Sequence, residues 1–301
     1  MDDRSLLDAL TPAAESLYER HLATAKEWFP HRLVPWGLGR DFGEDEAWEV
    51  EDSPLPEAVR SALFVNLLTE DNLPYYFQSI ATVFGEDDVW GEWARRWTAE
   101  EGRHAIVIRD YVTVTRSLDP VALERGRMQQ VSGGITPEVE SIADTLVYVA
   151  LQELATRISH RNTGKVLEDR PGYEVMARVA ADENLHYLFY RDLASAALEA
   201  DPSTLVCAVD RQVRGFAMPG TGIPDFAAHA QRIAKAGIYD FGAHYHQILV
   251  PVVLQHWKIE SVTGLSPEAE EARARVVRHI QRVGIAARRL GARREQAAAT
   301  A

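Results

Sequence analysis

Two short segments place a glutamate and a histidine three positions apart: Glu101-Gly102-Arg103-His104 and Glu183-Asn184-Leu185-His186. On a helix this spacing sets both side chains on one face, within reach of a single metal ion. Either copy alone carries little weight, because a chain with 10 histidines and many glutamates yields about one such pair by chance. The pattern becomes specific through what precedes each copy. Glu70 lies 31 residues before Glu101, Glu153 lies 30 before Glu183, and the two halves are offset by 83 and 82 residues. At about 1.5 Å of rise per residue, some thirty residues are enough to climb half a helix, turn, and return to the same level on an antiparallel neighbour. Two such hairpins facing each other bring four carboxylates and two imidazoles to one height. A glutamate from each of two helices plus Glu-x-x-His from each of the other two is the inward-facing set that holds a pair of iron or manganese ions. The carboxylates suit hard ions and can bridge both, while imidazole fills one nitrogen position on each.

The elements that must position these residues are helices. Apolar residues recur at three-to-four spacing through 56–84, 88–115, 138–166 and 172–200, giving four long helices as a minimum. Thr11-Pro12, Thr136-Pro137 and Ser266-Pro267 each set a hydroxyl ahead of a proline suited to a first helical turn. Residues 30–55, 116–136 and 217–225, rich in Gly and Pro, read as connectors. Val206 to Phe216 reads as extended chain or as another helix. Pro74 removes the amide that would bond to the Glu70 carbonyl; either the helix kinks at that level, or it ends near Asn72 and resumes. The fold expected is all-α, a four-helix bundle with flanking helices, forming one domain over 1–301 with its core at about 15–285 and a flexible tail at about 286–301.

Composition narrows the function. The chain is 46% hydrophobic and 26% charged, as in soluble globular proteins, and its longest apolar runs are far short of a bilayer span. A net charge of −13 argues against a nucleic-acid surface. An acidic protein partner would need a local basic patch, for which Arg273, Arg275, Arg278, Arg282, Arg288, Arg289, Arg293 and Arg294 are the candidate. The single cysteine, Cys207, excludes an internal disulfide and Cys-rich zinc sites and fits a reducing cytoplasm. The acidic start Met1-Asp2-Asp3-Arg4 resembles neither a secretory nor a transit segment. No Cys-x-x-Cys, G-x-G-x-x-G, P-loop or G-x-S-x-G occurs, which removes nucleotide folds and serine hydrolases from consideration.

Longer stretches around the ligand candidates carry a family resemblance. Leu68-Thr69-Glu70-Asp71-Asn72-Leu73-Pro74-Tyr75-Tyr76, Trp97-Thr98-Ala99-Glu100-Glu101-Gly102-Arg103-His104, Gln152 to Thr163, and Ala181-Asp182-Glu183-Asn184-Leu185-His186 resemble the signature segments of the soluble acyl-acyl-carrier-protein desaturases. Trp257-Lys258 and Thr263-Gly264-Leu265-Ser266 do so as well. Gly102, Leu154 and Leu185 depart from the family's residue types without removing a ligand.

The resemblance implies a ferritin-like, homodimeric di-iron enzyme. Such an enzyme uses oxygen and two electrons from a ferredoxin-type donor to desaturate a fatty acyl chain on acyl carrier protein, with manganese a possible substitute for iron. It implies that Glu101 and Glu183 bridge the metals, with Glu70 and His104 completing one and Glu153 and His186 the other. It places Thr156 beside the oxygen site and implies a bacterial, cytoplasmic member. Asp71 and Asp182, each adjacent to a ligand glutamate, are the candidates for fixing the histidine tautomers. Trp28 and Trp97 resemble family tryptophans on an electron route. Two other readings use the same residues: a hydroxylase or manganese/iron oxidase on the same bundle, and a non-catalytic carrier-binding or metal-storage protein, which the lack of an apolar channel would favour.

Overall fold

A computed structural model describes residues 1–299 other than Asp45, Glu138 and Thr221, and among these there is no β-strand. Helix α1 (Asp3–Thr24) is followed by a long segment containing only single 3-10 turns, and then by α2 (Glu57–Glu70) and α3 (Leu73–Phe84). Next come α4 (Asp88–Val114), α5 (Pro120–Gly133), α6 (Ile142–Val166), α7 (Arg170–Ala200) and α8 (Pro202–Gly215). The chain continues through α9 (Phe226–Lys235), the single turn α10 (Phe241–His244), a π-helical stretch (Tyr245–His256) and α11 (Pro267–Ala299). Among the described residues no helix is long and apolar enough to cross a membrane.

The bundle is α2/α3, α4, α6 and α7. Its centre is α6, whose residues from Ile142 to Leu151 are all buried. Such a helix has no solvent face and must be surrounded, and α7 packs along it, with α2, α3 and α8 against its other sides. Each fully buried Leu or Val contributes roughly 1.5–3 kcal/mol, which offsets the cost of burying charge in the same layer. Helix α1 covers α4 and α7, α9 covers α2, and α11 covers α8.

Local chemistry sets the boundaries. Ser141 caps α6 by accepting from the Asp144 amide, Asp169 caps α7 by accepting from Gly172, and Asp201 caps α8 by accepting from Thr204, each satisfying an amide that the helix cannot. Of the three hydroxyl–proline starts, only Ser266-Pro267 opens a helix, where Ser266 accepts from the Ala269 amide. Pro12 lies inside α1, which Asp2 caps, and Thr11 bonds back to the Leu7 carbonyl. Thr136 and Pro137 are irregular, and α6 waits for Ser141. The connector expected at 116–136 contains α5, begun by Asp119 and Pro120. It ends at Gly134, whose φ of +59° and tight approach to the Tyr75 ring admit only glycine.

Val206 to Phe216 falls on α8 and the residue after it. Helix α11 runs on to Ala299, past residue 286, where a tail was expected. The side chains of Arg293 and Arg294 lie outside the described residues. At Pro74 the helix ends and resumes: α2 stops at Glu70, Asp71 and Asn72 turn, and α3 begins with Pro74 in its first turn.

Candidate metal centre

Glu70 ends α2, Glu101 and His104 stand on α4, Glu153 on α6, and Glu183 and His186 on α7. All six are at most 7% exposed. Ionisable side chains are almost never buried singly, and here six of them share one layer. They form two overlapping groups, Glu70/Glu101/His104/Glu183 and Glu101/Glu153/Glu183/His186, within each of which the candidate ligand atoms lie within 4.8 Å of one another.

The two shared glutamates face both ways. Glu101 offers Oε2 to His104 Nδ1 at 3.1 Å and Oε1 to His186 Nδ1 at 2.8 Å. Glu183 offers Oε1 to His104 Nδ1 at 3.4 Å and Oε2 to His186 Nδ1 at 3.8 Å. Glu70 stands 3.9 Å from His104 Nδ1, and Glu153 stands 3.8 Å from His186 Nδ1. This is a donor set with two positions, each served by one imidazole, one terminal carboxylate and both shared ones.

Charge supports the same conclusion. Burial, together with repulsion from Glu101 and Glu183, pushes the Glu70 carboxyl well up, and burial with the same kind of repulsion does so to Glu153. Burial also opposes charge on His104 and His186, but the Glu101 carboxylate and neighbouring acceptors override it and raise both imidazoles well above their usual range. Without cations the layer holds itself together with protons on these groups. Two divalent cations would match four carboxylates and let both histidines become neutral ligands. Binding must then release protons: adding ferrous iron to the apoprotein in weak buffer, anaerobically at neutral pH, is expected to acidify the solution. Because protons compete for the same groups, affinity is expected to fall as pH falls. A pH-stat titration measures both.

The outward nitrogens of the histidines reveal a residue that the sequence reading missed. His104 Nε2 lies 3.5 Å from Asp182, and Asp182 also accepts from Trp28 Nε1 at 2.7 Å. Asp71 does not play the equivalent part. It pairs with Arg109, and His186 Nε2 instead meets Glu100 Oε2 at 3.0 Å. Glu100 also bonds His21 at 2.9 Å and Arg96 at 2.7 Å. Burial works against its charge, but the His186 and His21 hydrogen bonds hold the Glu100 carboxyl well below the usual range.

The signal was present in the repeat. Glu100 precedes Glu101 as Asp182 precedes Glu183, so the acid just before each Glu-x-x-His backs the histidine of the other copy. Glu100→Ala is expected to weaken iron binding about 10- to 100-fold, and Asp71→Ala to leave it unchanged, as read by competitive chelator titration.

His160 was also missed as a site residue. One and two helical turns beyond Glu153 on α6 lie Thr156 and His160, and His160 Nε2 sits 3.0 Å from Glu70 Oε1. Burial pushes this imidazole down to about 4, so it is neutral and can donate to the carboxylate. Glu153 receives the indole N–H of Trp97 at 3.1 Å. Thr156 is buried beside both glutamates, its hydroxyl donating to the Glu153 carbonyl at 3.0 Å.

Two cavities meet at this layer. One runs between α3 and α6 past Leu73, Ile80, Tyr148 and Val149. The other runs past Val65, Met218, Phe226 and Ile233. Thr69, Glu70, Thr156 and Pro219 line both, so Glu70 stands where the two predominantly apolar spaces adjoin, and Glu101, Glu153 and Glu183 line the first of them.

The chain as a whole is similar to known proteins. A family model described as fatty acid desaturase matches residues 2–301. A Mycobacterium tuberculosis protein provisionally named acyl-acyl-carrier-protein desaturase DesA1 is 41% identical over 296 residues, covering 93% of this chain and 87% of the relative. A chloroplastic stearoyl-acyl-carrier-protein 9-desaturase of Oryza sativa is 29% identical over 318 residues, covering 98% of this chain and 80% of the relative. The X-ray structure of DesA2 from Mycobacterium tuberculosis, a protein provisionally named as an acyl-carrier-protein desaturase, superposes with a TM-score of 0.73. It is 28% identical, and the match covers 89% of this chain and 99% of that one.

Proposed function

Since this chain belongs to the fatty acid desaturase family, we propose that it desaturates a fatty acyl chain carried on acyl carrier protein, with Glu70, Glu101, His104, Glu153, Glu183 and His186 holding two iron ions. The observation that carries this reading is the shared layer of Glu101 and Glu183, one oxygen of each turned to each histidine, at the wall of an apolar cavity. Bound iron would supply the activation of dioxygen that an unactivated methylene requires.

The rest falls to the chain itself. The cavities take up the acyl chain and keep water from it. Glu101 and Glu183 span both positions, while His160 and Trp97 hold Glu70 and Glu153. Glu100 and Asp182 fix the imidazoles with Nδ1 inward, and Thr156 presents a hydroxyl beside the reacting space, where it can hold or pass a proton. The overall balance takes two hydrogens from the chain, two electrons and two protons from outside, and one dioxygen, giving one double bond and two waters.

With this function go a ferredoxin-type donor, a homodimer and a cytoplasmic location. Manganese substitution for iron belongs to the same reading. The route Trp28–Asp182–His104 is the one we assign to incoming electrons, because it is hydrogen-bonded from Trp28 to Asp182. Trp97 touches a ligand but pairs with no aromatic ring among the described residues. Adjoining apolar cavities favour catalysis over a storage or carrier-binding role.

The test is the product. Reduced, iron-loaded protein given oxygen and long-chain acyl carrier protein is expected to return an acid lighter by two hydrogens. Gain of one oxygen atom would assign a hydroxylase, and an unchanged acid despite full iron occupancy would overturn the proposal.

A further inference from the structure

Trp93 is not needed for any of these roles, yet it is fully buried on α4 and linked to both the centre and the surface. Its ring lies edge-on to His186 at 6.2 Å between centroids and to His21 at 5.0 Å, and flat against Phe189 at 3.6 Å. Its indole N–H donates to the Tyr190 hydroxyl at 2.9 Å. On the side away from the centre it meets Tyr18 of α1 edge-on at 6.4 Å, and Tyr18 is partly exposed. Metal-side imidazole, buried tryptophan and surface-reaching tyrosine thus stand in sequence, in steps short enough for direct electron transfer.

We propose that Trp93 and Tyr18 form an outward path for oxidising equivalents, used when the centre has reacted with dioxygen and no acyl chain is present to be oxidised. This rests on the oxygen chemistry proposed above. Tryptophan and tyrosine are the aromatic side chains that give up an electron most readily. Trp93 passes one electron to the oxidised centre and becomes an indole radical cation, keeping its N–H proton in the bond to Tyr190. Tyr18 then refills Trp93, releasing its phenolic proton to solvent, and an external thiol returns one electron and one proton to Tyr18.

Charge separates this path from the Trp28 route. The guanidinium of Arg103 lies 4.9 Å from the Trp28 ring centroid and that of Arg178 lies 5.7 Å from it, and positive charge beside a ring opposes removal of an electron from it. No guanidinium stands over Trp93 among the described residues. The Trp28 side therefore suits inward delivery, and the Trp93 side suits outward loss. Tyr190, buried and hydrogen-bonded among the described residues only to Trp93, is a branch rather than an exit.

The experiment is freeze-quenched electron paramagnetic resonance on iron-loaded, reduced protein mixed with oxygen, without acyl carrier protein and with oxygen uptake followed in parallel. The expected result is an organic radical whose line shape changes on deuteration of tryptophan or tyrosine. Trp93→Phe should lose it, and Tyr18→Phe should leave a longer-lived tryptophan signal. Iron content and circular dichroism check that both variants fold, and Tyr18→Phe should keep full desaturation when substrate is supplied. Oxygen uptake without an organic radical, or the same radical in Trp93→Phe, would overturn the path alone. No oxygen uptake at all would overturn the reading of the centre and the path with it.

Discussion

Replacement of Glu183 by alanine is expected to reduce desaturation below about one thousandth of the parent's, a loss of about 4 kcal/mol or more in transition-state stabilisation. Iron content is expected to fall from two per chain to less than one. The reason lies in the position of Glu183 between both histidines: its removal takes a ligand from each metal position at once. It also removes an ionised carboxylate. Burial opposes its charge, yet hydrogen bonds from His104 and His186 hold Glu183 well below the usual range, so its loss leaves two raised imidazoles with less counter-charge. Glu183→Gln keeps the shape and serves as the control for folding, and iron assay with product analysis reads both. Full activity in Glu183→Ala would remove this residue from the centre.

Filling the first cavity is expected to have a comparable effect on turnover with none on metal. Val149 lines that cavity from the buried face of α6, one helical turn before Glu153. Val149→Trp would occupy space that a long chain must use while leaving every ligand in place. Over-packing costs roughly 1–3 kcal/mol of stability, which a well-packed core of this size can bear. Long-chain activity is expected to disappear while two irons per chain remain, as measured by mass analysis of product beside iron assay. Undiminished long-chain turnover would place the substrate elsewhere.

That Glu70, Glu101, His104, Glu153, Glu183 and His186 cluster in one layer could be read from the sequence because they obey two spacings that geometry enforces, three within a helix and about thirty across a hairpin. The resemblance then assigned shared and terminal ligands, and the coordinates place Glu101 and Glu183 between the two histidines. What could not be read was contact between halves. Asp71 and Glu100 are both acids next to a ligand glutamate, and only packing of α4 against α7 tells that Glu100 reaches His186 while Asp71 turns to Arg109. Helix α5 was missed because it has almost no apolar stripe: Val121 and Met128 are exposed, with only Leu123, Gly126 and Gln130 buried. Thr11-Pro12 misled because proline is tolerated wherever the preceding turn can spare a hydrogen bond, and the earlier Asp2 cap had already begun the helix.

The crossed partnership of Asp182 with His104 and Glu100 with His186 bears on assembly. Each hairpin contributes three candidate ligands, but the acid that lies against each imidazole comes from the opposite hairpin, some eighty residues away along the chain. Neither half is a smaller version of the whole. On the ribosome, the hairpin that emerges first presents a glutamate and a Glu-x-x-His motif with nothing behind the histidine to set its tautomer. The iron pair proposed above, and the oxygen reactivity proposed with it, would belong only to the docked whole, so a nascent or half-unfolded chain would hold no paired site.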